Sequence, residues 1–228
     1  KLGVAPADGD INMLAWTTTP WTLPGNVALA VGKDIKYSIV KTADGAYMVA
    51  TDLVEKIFAS QTVTVQKSIT GAELVGLEYE PLFSYYQDTQ NAFKVVAADF
   101  VETEEGTGIV HIAPAFGEED YQVGVREEIP LVQHVGMDGK FKPEVTDFAG
   151  QEVKPKENTS ATDVEILKWL AHNNKLFSKL KITHSYPLCW RCDTPLLNYA
   201  TTSWFVRVTQ LKDQLLKNNA KINWVPEH

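Results

Sequence analysis

The stretch KYSIVKTADGAYMVA (36–50) contains two alternating runs of apolar and polar residues on either side of a turn at Ala43, Asp44 and Gly45. Alternation with a period of two is typical of a half-buried strand, and Asp-Gly is a strong hairpin signal. We therefore predict an antiparallel hairpin here. Other strand-like segments lie on both sides of it: INMLAWTTT (11–19), VALAV (27–31), QTVTVQKSI (61–69), NAFKVVAADFV (91–101) and IVHI (109–112).

Helical spacing separates these strands and dominates later in the chain. It occurs in TDLVEKIFAS (51–60), in a segment beginning near Gly117, in NTSATDVEILKWLAHNNK (158–175) and in TQLKDQLLKNN (209–219). Ser160 and Asp163 have capping-box spacing. The third helix is expected to bury one face, made of Val164, Leu167, Leu170 and Ala171. We predict an α+β fold with a mostly antiparallel, β-barrel-like core and covering helices. The main domain is expected to span 1–180, with a return connector at 181–228. Short strands are expected in the last third of the chain.

The composition and net charge indicate which class of protein the chain belongs to. The 228 residues include 44% hydrophobic and 22% charged residues, which is typical of a globular protein. The net charge of -8 predicts a weak grip on phosphates, because a protein that binds nucleic acid by its backbone needs a basic surface. No apolar run approaches the roughly 18 residues of a membrane span, so we expect a soluble cytoplasmic protein. A start at Lys1 predicts a piece of a longer chain.

Three consecutive threonines stand beside two tryptophans and two prolines in LAWTTTPWTLPGN (14–26). In an extended strand Thr17 and Thr19 face one side and Thr18 faces the other. Threonine is common in strands for structural reasons alone. A rigid turn through Pro20 and Pro24 would bring Thr22 to the same end, which favours a pocket rim.

Two further candidates lie in GTGIVHIAPAFGEEDY (106–121). His111 is expected on a short apolar strand, where a histidine is more often half-buried and satisfied than catalytic. Asp120 falls in the first turn of a helix, where an acid stabilises the helix dipole. The preceding glycines lack the spacing of a phosphate-binding loop.

The two cysteines form CWRC, Cys189 and Cys192. This spacing is one half of a tetrahedral zinc site, and His184 could add a third ligand. Two reduced, metal-free thiols are the alternative. A zinc hydrolase built on these three residues is therefore one functional hypothesis.

Three segments together resemble the editing domain inserted in isoleucyl-tRNA synthetases: WTTTPWTLPGN (16–26), GTGIVHIAPAFGEEDY (106–121) and HSYPLCWRCDTPLLNYATTSWFV (184–206). The resemblance implies that 1–180 is the editing core and that 181–228 returns to a synthetic domain. It also implies hydrolysis of the ester of valine mischarged on tRNA(Ile), with valyl-adenylate as a second candidate substrate. One methylene is worth only about 1–3 kcal/mol in an apolar pocket, a magnitude established on this same enzyme family, so a second site must reject isoleucine sterically.

The resemblance also implies roles for individual residues. Asp120 would bind the α-ammonium group of the aminoacyl ester, and His111 and Thr22 would form the walls that limit side-chain size. Thr17, Thr18 and Thr19 would line the pocket and meet the terminal adenosine and the ester. Trp16 and Trp21 are expected to pack the turn.

The expected chemistry is hydrolysis by a positioned water without a covalent intermediate, since no nucleophile elbow or HExxH motif occurs. No cofactor is expected for editing. The full-length enzyme would use ATP and Mg, with zinc as a further candidate. The expected partners are the CCA end of tRNA(Ile) carrying valine and the other synthetase domains, with the chain itself a monomer. The alternative is a non-catalytic β-barrel that binds an RNA end by aromatic stacking.

Overall fold

The computed structural model describes residues 10–181 and 186–226, which form an α+β fold with two mixed sheets. The strands are β1 Ile11–Met13, β2 Ala28–Val31, β3 Lys36–Lys41, β4 Ala46–Ala50, β5 Thr64–Thr70, β6 Lys94–Ala97 and β7 Ile109–Ile112. The α-helices are α1 Val54–Ile57, α2 Gly71–Leu74, α3 Glu118–Arg126, α4 Ala161–His172 and α5 Lys212–Asn219, and 3₁₀ helices cover Pro20–Gly25 and Thr51–Leu53.

The first sheet has the strand order β1-β4-β3-β5 and is built on the predicted hairpin. β3 and β4 are antiparallel with Lys41 opposite Ala46, which confirms the prediction from 36–50. Gly45 has a φ of 148°, so the turn uses a conformation that L side chains rarely adopt. β5 pairs antiparallel with β3 on the other side, and β1 runs parallel to β4.

The second sheet has the order β6-β2-β7, with β2 at its centre. All four residues of β2 are buried, because this strand has a neighbour on each edge and packed groups on both faces. β2 runs parallel to β6 and antiparallel to β7. Its pairing with β7 places His111 opposite Leu29 in the middle of the sheet.

The two sheets pack on each other through apolar side chains. Leu29 and Val31 of β2 share one cluster with Tyr37 and Ile39 of β3 and with Ile109 of β7. The Tyr37 hydroxyl accepts a hydrogen bond from the Gly32 N–H at 3.0 Å and donates one to the Gly108 carbonyl at 2.7 Å. Burial raises the pKa of Tyr37 to about 12, so this link between the two sheets persists at neutral pH.

The predicted barrel-like core is wrong for the described residues. Three of the five strand pairings are antiparallel and two are parallel, and the strands form two sheets in place of one closed barrel. A parallel pair needs a long crossover between its strands. The segment from β3 to α2 lies in the chain between β2 and β6 and forms such a crossover, which local alternation does not reveal.

The strand predicted at 11–19 is shorter in the structure. β1 ends at Met13, and only Trp16 makes a further bridge, parallel to Val110. Pro20 and Pro24 follow, and a proline has no N–H to donate to a neighbouring strand, so the ladder cannot continue into the turn. The three threonines therefore lie in irregular chain between a strand and a 3₁₀ helix.

The helix face predicted in α4 is only partly correct. The buried residues are Thr162, Ile166 and Leu170, while Val164 is exposed. The short strands predicted after 181 are absent from the described part of that region, where Leu188 and Pro195 make one isolated bridge. No helix in 10–181 or 186–226 is long and apolar enough to cross a membrane.

Candidate active site

The Pro20–Gly25 helix shapes the threonine-rich end of the site. Pro20 occupies its first position, where a missing N–H costs nothing, and the Thr22 N–H donates to the Thr19 carbonyl at 3.1 Å. Residues 21–25 are all buried, which fixes the direction in which Thr22 points. The predicted rigid turn is therefore present.

Three threonine hydroxyls form a chain that ends on His111. The Thr17 Oγ1 accepts from the Thr19 N–H at 3.0 Å and lies 3.4 Å from the Thr19 Oγ1. The Thr19 Oγ1 lies 3.3 Å from the Thr22 Oγ1, which lies 3.0 Å from the His111 Nε2. Thr18 is exposed and outside this chain. The structure thus brings together four of the six predicted site residues directly.

The hydrogen bonds determine the tautomer of His111. The Thr22 hydroxyl donates its single proton to the Thr19 carbonyl at 2.8 Å, so the His111 Nε2 must carry a proton and donate to Thr22. The Nδ1 is then an acceptor, and it is buried without a partner in the described part of the chain. Burial lowers the pKa of His111 to about 4. The imidazole is therefore neutral at physiological pH.

Asp120 stands beside this cluster at the start of α3. Its Oδ2 accepts a hydrogen bond from the Ala113 N–H at 2.9 Å, two residues beyond His111 at the end of β7. A Cβ on Gly117 would lie 2.9 Å from the Asp120 Cγ, so glycine is required there for close approach. Burial raises the pKa of Asp120, while the Ala113 hydrogen bond opposes that rise. One carboxyl oxygen is thus fixed, and the other makes no hydrogen bond to the part of the chain that the structure describes.

An open depression of about 580 Å³ adjoins Asp120 and is lined by Gly117, Glu118, Glu119, Asp120 and Gln122. The threonine cluster is not part of its lining. A smaller depression of about 170 Å³ lies near Phe83 and Trp169 and contains none of the predicted site residues. The Asp120 depression is the one of the two that a predicted site residue lines.

Sequence reasoning missed the groups that hold the turn. The Trp21 N–H donates to the Asp163 Oδ1 at 3.2 Å, and the Trp21 carbonyl lies 3.0 Å from the His134 Nε2. Asp163 was predicted to complete a capping box with Ser160, but Ser160 makes no side-chain cap. The only sequence signals were a histidine in an apolar segment and an acid near a helix start, neither of which indicates its partner.

Trp21 itself packs the turn, as predicted. It is buried, and its ring meets Phe116 edge to face at 5.2 Å between centroids. Trp16 is half-buried and packs against Gly106, where a Cβ would lie 2.8 Å from its ring. Both tryptophans therefore stabilise the segments on which the threonines lie.

The two cysteines are close to each other but away from buried structure. Cys189 is half-buried, Cys192 is exposed, and the Cys192 Sγ lies 3.1 Å from the Thr194 Oγ1. Hydrogen bonds from Thr194 and then from Cys189 lower the pKa of Cys192. His184 lies outside the described residues. In the described ranges no three His, Cys, Asp or Glu side chains are grouped as a metal site requires, so the cysteines can supply at most half of one.

Comparison with known proteins gives consistent matches. The family described as tRNA synthetases class I (I, L, M and V) matches residues 33–228. An isoleucine–tRNA ligase of Clostridium novyi is 49% identical over 95% of this chain, and one of Bdellovibrio bacteriovorus is 47% identical over 96%. The chain spans about a fifth of the length of these curated relatives.

A solved structure shares the fold. The crystal structure of GlLeuRS-CP1 superposes with a TM-score of 0.60 at 15% identity, covering 77% of this chain and 87% of that one. At this identity the likeness concerns the fold alone.

Proposed function

Because this chain belongs to the class I tRNA synthetases (I, L, M and V), we propose that it is the editing domain of an isoleucyl-tRNA synthetase. It hydrolyses the ester of Val-tRNA(Ile), with valyl-adenylate as a second substrate, and excludes isoleucine. The observation that carries the proposal is the Thr19–Thr22–His111 chain of hydrogen bonds beside the Asp120 carboxylate.

Asp120 is the proposed ligand of the α-ammonium group. One of its oxygens is anchored to Ala113, so the carboxylate has a fixed direction, and its other oxygen can accept a charge-assisted hydrogen bond. This contact is common to all amino acids. It therefore orients the substrate without selecting it.

Selection comes from the wall formed by Thr22 and His111. Both side chains are buried, and the bond between them prevents either from moving aside to admit one more methylene. Thr17, Thr18 and Thr19 are the proposed contacts for the ester and the terminal ribose, and hydroxyls of this kind can also orient a water. The unprotonated nitrogen of His111 is buried and burial lowers the pKa of the ring to about 4, so the proposed hydrolysis does not use His111 as the base.

The remaining assignments follow from this role. We assign 1–180 to the editing core and 181–228 to a connector that leads back to the synthetic domain, touching the core where the Ala200 N–H donates to the Ala115 carbonyl. The net charge of -8 suits a monomeric cytoplasmic domain that binds only the CCA end of the tRNA. Editing needs no cofactor in this proposal, while ATP, Mg and zinc belong to the whole enzyme.

The test compares deacylation of Val-tRNA(Ile) and Ile-tRNA(Ile) by this chain. Selective cleavage of the valyl ester is expected. Asp120→Asn should lower the rate about 10- to 100-fold, because the amide oxygen can still accept from Ala113 but the charge is lost. Asp99→Asn is the matched control, since Asp99 is exposed and does not line the depression beside Asp120. Equal cleavage of both esters, or full activity in Asp120→Asn, would contradict the proposal.

One observation favours the alternative of a non-catalytic RNA-end-binding module. Trp190 is 84% exposed, and the Arg191 guanidinium lies 4.6 Å from the centre of its ring. An exposed aromatic beside a cation is suited to stack on a base. Tight binding of a CCA oligonucleotide that Trp190→Ala abolishes, without deacylation by the wild-type chain, would support this alternative.

A further inference from the structure

We propose that His134 and Asp163 are positioning residues that hold the Trp21 peptide groups from two sides and thereby keep Thr22 against His111. The inference rests on the proposed function of that wall as the limit on side-chain size. It concerns two buried groups that lie 113 and 142 residues from Trp21 in the chain.

The Pro20–Gly25 helix cannot itself supply hydrogen-bond partners for the Trp21 N–H and carbonyl groups. In a 3₁₀ helix the carbonyl of one residue accepts from the N–H three residues later. For Trp21 that residue is Pro24, which has no N–H. The Trp21 N–H lies at the start of the helix, where donors lack a helical partner. Both peptide groups therefore need partners from outside the turn.

His134 supplies the donor. Its ring is fully buried, and its Nε2 lies 3.0 Å from the Trp21 carbonyl, which can only accept. The proton is therefore on the Nε2. The ring stacks on Phe141 at 5.8 Å and meets Phe116 edge to face at 4.6 Å, so it cannot rotate away. A Cβ on Gly25 would lie 2.1 Å from the Nδ1, which shows how tightly the ring fits the turn.

Asp163 supplies the acceptor. Its Oδ1 accepts from the Trp21 N–H, and its Oδ2 accepts from the Lys154 Nζ at 2.5 Å. The two charged side chains are only 13% and 14% exposed, so this ion pair is shielded from water. Asp163 lies in the first turn of α4, which anchors the carboxylate to a regular element.

Thr22 is the next residue after Trp21, so the direction of its hydroxyl follows from the placement of the Trp21 peptide. Loss of either partner would leave a buried peptide group unpaired and allow the turn to shift. A shift of about one methyl group is enough to admit isoleucine. The expected consequence is reduced discrimination with the chemistry retained.

The experiment uses His134→Leu and Asp163→Ala, with His134→Gln and Asp163→Asn as conservative variants that keep a donor and an acceptor. His172→Leu is the matched control, because the His172 Nδ1 also contacts a backbone carbonyl, that of Lys168, at 2.7 Å on the surface. The first readout is the ¹H–¹⁵N spectrum of the histidine side chains, which reports the His111 Nε2–H directly and requires no activity. The second is the ratio of kcat/KM for Val-tRNA(Ile) and Ile-tRNA(Ile).

We expect the His111 Nε2–H signal to be lost or broadened in His134→Leu and Asp163→Ala, and to be retained in the conservative variants and the control. The kcat/KM ratio should fall about 10-fold or more in the first two variants. An unchanged His111 signal in folded His134→Leu or Asp163→Ala overturns the inference. If His134→Leu does not fold, the His111 signal in Asp163→Ala decides whether the inference holds. If the wild-type chain shows no deacylation, the proposed function fails while the spectrum still decides the positioning role.

Discussion

Thr22 has a single hydroxyl proton, and the structure assigns it to the Thr19 carbonyl. The same oxygen accepts from the buried His111 Nε2. One oxygen therefore links the Pro20–Gly25 helix to β7 in the second sheet.

Thr22→Val should test the hydrogen bond, because valine keeps the shape but leaves the His111 N–H unpaired in a buried place. We expect the free energy of unfolding to fall by about 1–3 kcal/mol, measured by urea denaturation. Thr18→Val is the control for stability, since Thr18 is exposed and should change little. An equal effect of both substitutions would show that the Thr22 hydroxyl stabilises the fold no more than an exposed hydroxyl does.

Among the elements, those encoded locally were predicted best. The 36–50 hairpin and β7 at Ile109–Ile112 were correct because alternation and turn residues lie side by side in the chain. The parallel pairings of β1 and β2 were not predictable, since their partners are distant in sequence. Asp163 was interpreted as a helix cap, but a distant backbone N–H competes for its carboxylate.

For the site, the threonine stretch and Asp120 could be selected from the sequence because they occur in recognisable motifs. The Thr22–His111 bond and the His134 contact could not, because each joins segments about a hundred residues apart. Their roles in substrate recognition stay predictions. The family assignment from the three motifs is confirmed by the match over 33–228 and by the isoleucine–tRNA ligase relatives.

α2 is a helix of only four residues that depends on its N-terminal cap. The Thr70 N–H donates to the Glu73 carboxylate at 2.9 Å, and the Thr70 hydroxyl donates to the same oxygen at 2.7 Å. This capping box was present in the sequence as TGAE (70–73) and was not recognised.

Thr70→Ala should lower the free energy of unfolding by about 1 kcal/mol, because it removes part of the cap on a helix that buries Leu74. Thermal and urea denaturation measure the change. Thr64→Ala, at the exposed other end of β5, is the matched control. A loss no larger in Thr70→Ala than in Thr64→Ala would mean that the cap does not stabilise the fold.

At the scale of the whole molecule, two buried neutral histidines make the free energy of unfolding depend on pH. Burial lowers the pKa of both His111 and His134 to about 4, from an ordinary value of 6.5. Between these values the unfolded chain binds more protons than the folded one, so stability falls as the pH falls from about 6.5 toward 4. Asp120 acts in the opposite direction, because burial raises its pKa.

We expect the free energy of unfolding to decrease by several kcal/mol between pH 7 and pH 4, measured by urea denaturation at each pH. His134→Gln should make this dependence shallower, since it removes one of the two titrating groups. His172→Leu should leave the slope unchanged because His172 is exposed. A slope identical in His134→Gln and the wild-type chain would exclude His134 as a source of the pH dependence.

The two prolines of the Pro20–Gly25 helix have a consequence for the order of folding. Pro24 leaves the Trp21 carbonyl without its local donor, and the Trp21 N–H near Pro20 has no helical acceptor, so the shape of the turn depends on groups 113 and 142 residues away. Contacts between such distant parts of a chain form late, after loop closure has been achieved. The turn that carries Thr22 therefore takes its final shape only after the segments around His134 and Asp163 have folded against it.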